Sequence, residues 1–172
     1  MVKKIKTCVF ISGKGSNLKS IIINSRGYNF PIKIELIISN NLSAGGIKLA
    51  KKYSIPYKFF SSKNMRNFER NSLYILKKRK IKFLCLAGFM KILSKNFIRN
   101  FGYKIINIHP SLLPKYKGTN THKRALINKE KYSGCTVHFV TQDLDSGKII
   151  SQKKVSIAKN ETESSLKNKI LK

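Results

Sequence analysis

Apolar runs, mostly β-branched, recur along the chain at intervals that leave room for one or two helices. They are Lys6–Ser12, Ile32–Ser39, Lys82–Leu86 and the run that opens at Ile105. Between them, Leu18, Ile21 and Ile22, the stretch Ala44–Tyr53, the stretch Met65–Lys80 with Phe68, Leu73 and Leu76, and Ser94–Phe101 have helical spacing. Continuous apolar strands are those buried on both faces. Joining two of them in parallel needs a crossover long enough for a helix. The pattern predicts an α/β fold built on a doubly wound, mostly parallel sheet. Ile55–Phe59 reads as a short, edge-like strand. Two later segments, 133–140 and 149–157, alternate instead, with Cys135, Val137 and Phe139 opposite Thr136 and His138 in the first. They are expected to form an antiparallel strand pair near the C-terminal end. At 172 residues the chain is expected to be one domain, 1–172, with a core of its own.

Composition narrows the classes. Hydrophobic residues make up 41%, and no run approaches the roughly 18 apolar residues of a membrane span. The basic start is followed by an apolar stretch of only Cys8–Ile11, too short for a secretory signal, so it reads as a first strand. Three scattered cysteines, Cys8, Cys85 and Cys135, have neither metal-ligand spacing nor an even count for pairing. They point to core positions in a reduced, cytoplasmic compartment. Lys and Arg total 36 against 7 acids, a net charge of +29. Such a balance suits nucleic acid. Yet the 30 lysines are spread along the whole chain rather than gathered in an arm, and Lys, Ile and Asn are together the residues that A+T-rich codons supply. No nucleic-acid partner is expected, because aromatics interleaved with lysine on one surface are absent and Phe and Tyr occupy periodic, core-like places.

Chemistry concentrates in Lys104–Gly118, KIINIHPSLLPKYKG. Ile105, Ile106 and Ile108 make a strand, and Asn107 and His109, two apart, face the same side of it. Pro110 and Pro114 end the strand and stiffen the loop beyond. An amide can donate to a developing oxyanion, and an imidazole moves protons near neutral pH. On spacing alone, a satisfied strand end with a Pro-rich turn accounts for the pair equally well. Asp143 and Asp145, the chain's only aspartates, fall in one turn before Gly147. By itself that is an acidic turn. The loop Gly13-Lys14-Gly15-Ser16-Asn17 joins the first strand to a helix, which places backbone N–H groups where a phosphate binds, with Ser16 or Asn17 as the helix cap. Leu18 stands where a dinucleotide fingerprint needs its third glycine, and the Walker pattern is absent, so neither a nicotinamide nor ATP is indicated.

The unbroken stretch Asn107-Ile108-His109-Pro110-Ser111-Leu112-Leu113-Pro114 resembles the signature of the folate-dependent formyltransferases. Its continuation, with Thr121-His122-Lys123-Arg124-Ala125-Leu126, resembles the glycinamide ribonucleotide (GAR) transformylases among them. The likeness runs from about Cys8 to the end. It implies formyl transfer from 10-formyltetrahydrofolate, the co-substrate, to the amine of GAR in purine synthesis, with no metal. It also implies Asn107, His109 and Asp145 as catalytic, with Asp145 paired to His109, and His138 as ordering the site. Gly15, Ser16 and Asn17 would hold the GAR phosphate, with Leu171 and Lys172 at the start of a further GAR-binding region. Met90, Lys91, Ile92 and Leu93 in the LAGFM-x-IL stretch, Met65, Asn107, and Thr141, Gln142, Asp143, Leu144 and Asp145 would line the folate. The glycine loop, the Met90 loop and His109 are expected to converge at the carboxyl ends of the parallel strands.

Several positions depart from the family pattern. Lys91 and Met65 stand where arginines are usual, with Arg66 adjacent to the second, and a point charge does not replace a planar fork. Asn120 replaces a second histidine, and His122 reads as a structural helix-start residue. The helix opening near Glu161 has acid in its first turn and reaches Lys172 after two or three turns, so the C-terminal helix is expected to be cut short. Other folate formyltransferases or hydrolases, a degenerate inactive homologue, and a basic nucleic-acid-binding protein are the alternative readings. The sequence leaves the oligomeric state open.

Overall fold

The structure, a computed structural model, describes residues 4–171. The chain divides into two compact units, Met1–Ile105 and Ile106–Lys172.

The first unit alternates strand and helix: β1 (Ile5–Ile11), α1 (Ser16–Ser25), β2 (Ile32–Ser39), α2 (Gly45–Lys52), β3 (Tyr57–Phe59), α3 (Met65–Lys78), β4 (Phe83–Leu86) and α4 (Lys95–Phe101). Its strands lie in the order β3-β2-β1-β4, and the registered pairs β1–β2, β1–β4 and β2–β3 are all parallel. The order reverses direction at β1, which is the switch point of a doubly wound sheet. Cys8, Val9, Phe10 and Ile11 in β1 are wholly buried, as are Leu36, Ile37 and Ile38 in β2. That accounts for their reading as unbroken apolar runs. Phe10 packs edge-on against Phe68 of α3 and Phe89, at ring-centroid distances of 5.6 and 5.3 Å. Such pairs contribute about 0.5–1.5 kcal/mol each beyond area burial.

The second unit continues from β5 (Ile105–His109), whose first residue closes the first unit, through α5 (Thr121–Ile127), β6 (Tyr132–Phe139), β7 (Ile149–Ser156) and α6 (Glu163–Ile170). Strands β5, β6 and β7 are neighbours in that order, and both pairs are antiparallel. The class is therefore α/β, with parallel strands followed by an antiparallel C-terminal pair.

Burial of β6 is the reverse of simple amphipathic expectation. Its polar side, Thr136 and His138, is buried, while Cys135, Val137 and Phe139 on the other side are only half-buried. Thr136 explains how. Its hydroxyl donates to Ser111 O at 2.6 Å and accepts from Leu113 N at 3.1 Å and Gln152 Nε2 at 2.9 Å. With its bonds satisfied, the hydroxyl ties the loop after β5 to β6 and β7. Gly134 permits the close strand approach here, since a Cβ would lie 2.0 Å from Lys153 O.

Neither Ser16 nor Asn17 caps α1. The N-cap is Gly15, at φ 85°, with no side-chain cap. A left-handed backbone costs glycine least, and here it carries α1 against α2, where a Cβ on Gly15 would meet Gly46 Cα at 2.8 Å. Gly15→Ala is expected to destabilise the chain by about 1–3 kcal/mol, read as a lowered denaturant midpoint at unchanged m-value. An unchanged midpoint would show that the two helix starts can move apart freely.

Candidate active site

Antiparallel pairing sets Asn107 opposite His138 and His109 opposite Thr136. The expected same-side placement of Asn107 and His109 thus brings in a third polar side chain, from β6. Asp145 enters from the loop after β6, in a left-handed backbone at φ 46° that aspartate tolerates better than most residues. Its Oδ2 lies 3.3 Å from His109 Nδ1 and accepts from Gly118 N at 2.9 Å. Its Oδ1 accepts from Asn107 Nδ2 at 3.4 Å and lies 3.6 Å from His138 Nε2. Side-chain exposure is only 5% for His109 and 8% for Asp145, so water screens the pair weakly.

Hydrogen-bond bookkeeping assigns roles to the two imidazoles. His109 Nε2 lies 2.9 Å from Tyr116 O, and its Nδ1 faces the Asp145 carboxylate. Both partners are acceptors, so each ring nitrogen faces a group that an N–H can donate to. His138 Nδ1 lies 2.9 Å from Phe139 O and its Nε2 lies 3.2 Å from Asn107 Nδ2. One nitrogen donates to the carbonyl and the other accepts from the amide. His138 thereby fixes which end of Asn107 points inward.

Burial pushes the Asp145 carboxyl up. That push is outweighed by the groups around it, the bond from Gly118 N–H and the charge of His109 among them, which hold it below its ordinary value. Two of the three thiols are held protonated: burial pushes Cys85 up to about 12 and Cys8 well above its usual value. Among the described residues, no group of three or more His, Cys, Asp or Glu is arranged to hold a metal ion, and no helix is long and apolar enough to cross a membrane.

The other expected site residues fall in both units. In the first, Ser12 N donates to Gly88 O at 3.1 Å and Met90 N donates to Ser12 Oγ at 2.8 Å. The loop after β1, with Gly15, Ser16 and Asn17, is therefore joined to the loop after β4. Met90, Lys91 and Ile92 are exposed and Leu93 is buried. Met65 is the first residue of α3, half-buried, with Arg66 exposed beside it. In the second unit, Thr141, Gln142, Asp143 and Leu144 are exposed ahead of Asp145, and Leu171 is exposed at the end of α6. Lys172 lies outside the described residues. Sequence reasoning missed the backbone groups, Tyr116 O and Gly118 N, because a carbonyl or an N–H leaves no mark in residue type.

His122, the second residue of α5, has a buried Nδ1 without a partner. Burial lowers its pKa from 6.5, helped by Lys167 and His109 and opposed by Glu163. The folded state therefore binds this proton less readily than the unfolded chain. Stability from this group is full above about pH 6.5 and is lost as pH falls towards the folded value. His122→Phe is expected to flatten the acid slope of the melting temperature between pH 7 and 5. A slope equal to the parent's would remove His122 as its source.

An amide donor, a doubly held imidazole and a buried carboxylate, closed on one another beside a second histidine, are suited to handling a proton and a developing oxyanion during group transfer. The comparisons with known proteins agree with that class. The formyl transferase family matches residues 5–172. The chain is 43% identical over 155 residues to the phosphoribosylglycinamide formyltransferase of Haemophilus influenzae, covering 88% of this chain and 73% of that one. It is 39% identical over 171 residues to the human trifunctional purine biosynthetic protein adenosine-3, covering 98% of this chain but spanning only 17% of that protein's length. A crystal structure of phosphoribosylglycinamide formyltransferase from Anaplasma phagocytophilum superposes with a TM-score of 0.92 at 38% identity, covering 98% of this chain and 80% of that one. The chain belongs to the formyl transferase family.

Proposed function

We propose that this chain transfers the formyl group of 10-formyltetrahydrofolate to the amine of GAR, as a cytoplasmic enzyme of purine synthesis. The observation that carries the reading is the closure of Asn107, His109 and Asp145 on one another within hydrogen-bonding and ion-pair distance. The names of the relatives supply the formyl group and its acceptor, and the resemblance of Asn107–Pro114 to the folate-dependent formyltransferases supplies the donor. The family match over 5–172 supports taking the whole chain as one formyltransferase domain.

The amine nitrogen attacks the formyl carbon, and the carbonyl electron pair moves onto oxygen. Asn107 redirects one amide hydrogen from its internal acceptors to that oxyanion. The amine loses a proton, the folate nitrogen gains one, and the bond between formyl carbon and folate nitrogen breaks. His109 and Asp145 hold the proton in between. The contact of 3.3 Å between them is longer than a charge-assisted bond of about 2.7–2.9 Å. It is the looser of the two contacts to the ring, and the one that water or substrate enters.

Gly15, Ser16 and Asn17 bind the GAR phosphate through the uncapped start of α1, with Leu171 and Lys172 as further GAR contacts. Met65, Met90, Lys91, Ile92, Leu93, Asn107 and the 141–145 loop contact the folate. The deciding experiment incubates purified chain with GAR and 10-formyltetrahydrofolate and follows formyl-GAR by mass and tetrahydrofolate by absorbance. Both products are expected in equal amounts. Folate consumption without formyl-GAR would instead indicate a hydrolase, and no consumption an inactive homologue.

A further inference from the structure

His109 Nε2 has a backbone carbonyl, Tyr116 O, as its hydrogen-bond partner at 2.9 Å, and that carbonyl sits in an unusual piece of chain. Tyr116 has φ 58°, a conformation that an aromatic residue adopts only when its surroundings enforce it. One group restrains the turn near its backbone: Ser111 Oγ donates to Lys115 O at 2.7 Å and reaches Tyr116 O at 3.4 Å. Three more grip the side chain. Tyr116 Oη donates to Glu130 Oε1 at 2.7 Å, Asn128 Nδ2 donates to Tyr116 Oη at 2.9 Å, and the Arg124 guanidinium lies 5.1 Å from the ring centroid. The same Glu130 oxygen accepts from Lys115 Nζ at 2.8 Å. One carboxylate therefore holds two consecutive side chains of the turn.

The end of α5 places that carboxylate. Lys129 takes the left-handed conformation at φ 50°, and Glu130 N donates back to Ala125 O at 3.0 Å. This reversal closes the helix and returns Glu130 towards residues 115–116. Bonds from Lys115 and Tyr116 hold the Glu130 carboxyl below its ordinary range, so it stays an acceptor throughout the neutral region. In a chain with so few acids, this one sits between Lys129 and Lys131 and spends its charge on the turn.

We propose that Glu130 is a positioning residue for His109: it fixes the Tyr116 side chain and thereby the carbonyl that accepts from His109 Nε2. Loss of the clamp lets the turn relax, and the imidazole loses the partner that sets its ring plane. Misplacing a proton-transfer group by a fraction of an ångström slows the chemical step more than it weakens substrate binding.

The test compares Glu130→Ala, Glu130→Gln and Tyr116→Phe. The glutamine keeps an acceptor oxygen for both partners. The phenylalanine removes only the hydroxyl and covers the case in which the alanine variant fails to fold. The first readout is the ring N–H signal of His109 in nitrogen-edited NMR of the free protein, which does not depend on the formyl-transfer reading. Exchange of that proton with water is expected to quicken about tenfold in Glu130→Ala and Tyr116→Phe and to stay near the parent's in Glu130→Gln. The second readout rests on that reading: kcat falls about tenfold, with KM for both substrates within about twofold. Unchanged exchange in both Glu130→Ala and Tyr116→Phe would overturn the proposal, whether or not the parent is active. An equal loss in Glu130→Gln and Glu130→Ala would overturn it too, since the acceptor survives in the first.

Discussion

Asp145→Asn is expected to lower the rate of the proposed formyl transfer by about 10²–10⁴-fold, the range found when a group that serves general acid–base chemistry is lost. The substitution keeps the shape and one carbonyl oxygen. It removes the negative charge that faces His109 Nδ1 at 3.3 Å and replaces an oxygen that accepts from Gly118 N at 2.9 Å or from Asn107 at 3.4 Å. With an amide there, His109 Nδ1 loses the carboxylate it faces, and a proton is no longer poised between the two side chains. Single-turnover rates with both substrates saturating measure the effect on the chemical step. A variant within about threefold of the parent would remove Asp145 from the mechanism. The variant also has a pH signature. The carboxyl is held below its ordinary 3.8, so its stabilisation is complete above about pH 4 and is lost as pH falls through the folded value. Asp145→Asn loses that limb of the stability curve.

Asn107→Ala is expected to cost about 10²–10³-fold in kcat, the usual loss when one oxyanion donor is removed. Its effect on KM is expected to be small, because the bond to the oxyanion exists only in the transition state. Asn107→Asp separates the two possible reasons for a loss. It keeps the volume and strands an acceptor against His138 Nε2, which lies 3.2 Å from the present amide nitrogen. If Asn107→Ala retained full kcat, the oxyanion would have to be stabilised elsewhere. Thermal melts of each variant show whether the loss is chemical or structural. Truncating a buried hydrogen-bonded group costs about 1–3 kcal/mol of stability without abolishing the fold.

The site was partly legible from the chain alone. Asn107 and His109 could be placed on one face because strands have a period of two. Asp143 and Asp145 stood out together as the chain's only aspartates, and it was the family resemblance that singled out Asp145. His138 could be put on the polar side of its strand. What could not be read was that this polar side would be the buried one. A polar face is buried only when its partners are supplied, and for Thr136 they come from Ser111, Leu113 and Gln152, up to 25 positions away in sequence. The cap of α1 was misplaced for a similar reason: Ser16 and Asn17 are good caps by type, but Gly46 leaves no room for a Cβ on the residue before them.

By itself, then, the amino-acid order determined the alternation of strands and helices, the class of fold and the residue types available for chemistry, because these follow from local periodicity and side-chain chemistry. The tertiary structure decided which groups complete the centre. His138 faces Asn107 through strand pairing, Gly118 N–H meets Asp145, and Tyr116 carbonyl fixes His109, held in turn by Glu130. Those partners are backbone atoms and side chains distant in sequence, and only the closing of the chain upon itself brings them within bonding distance.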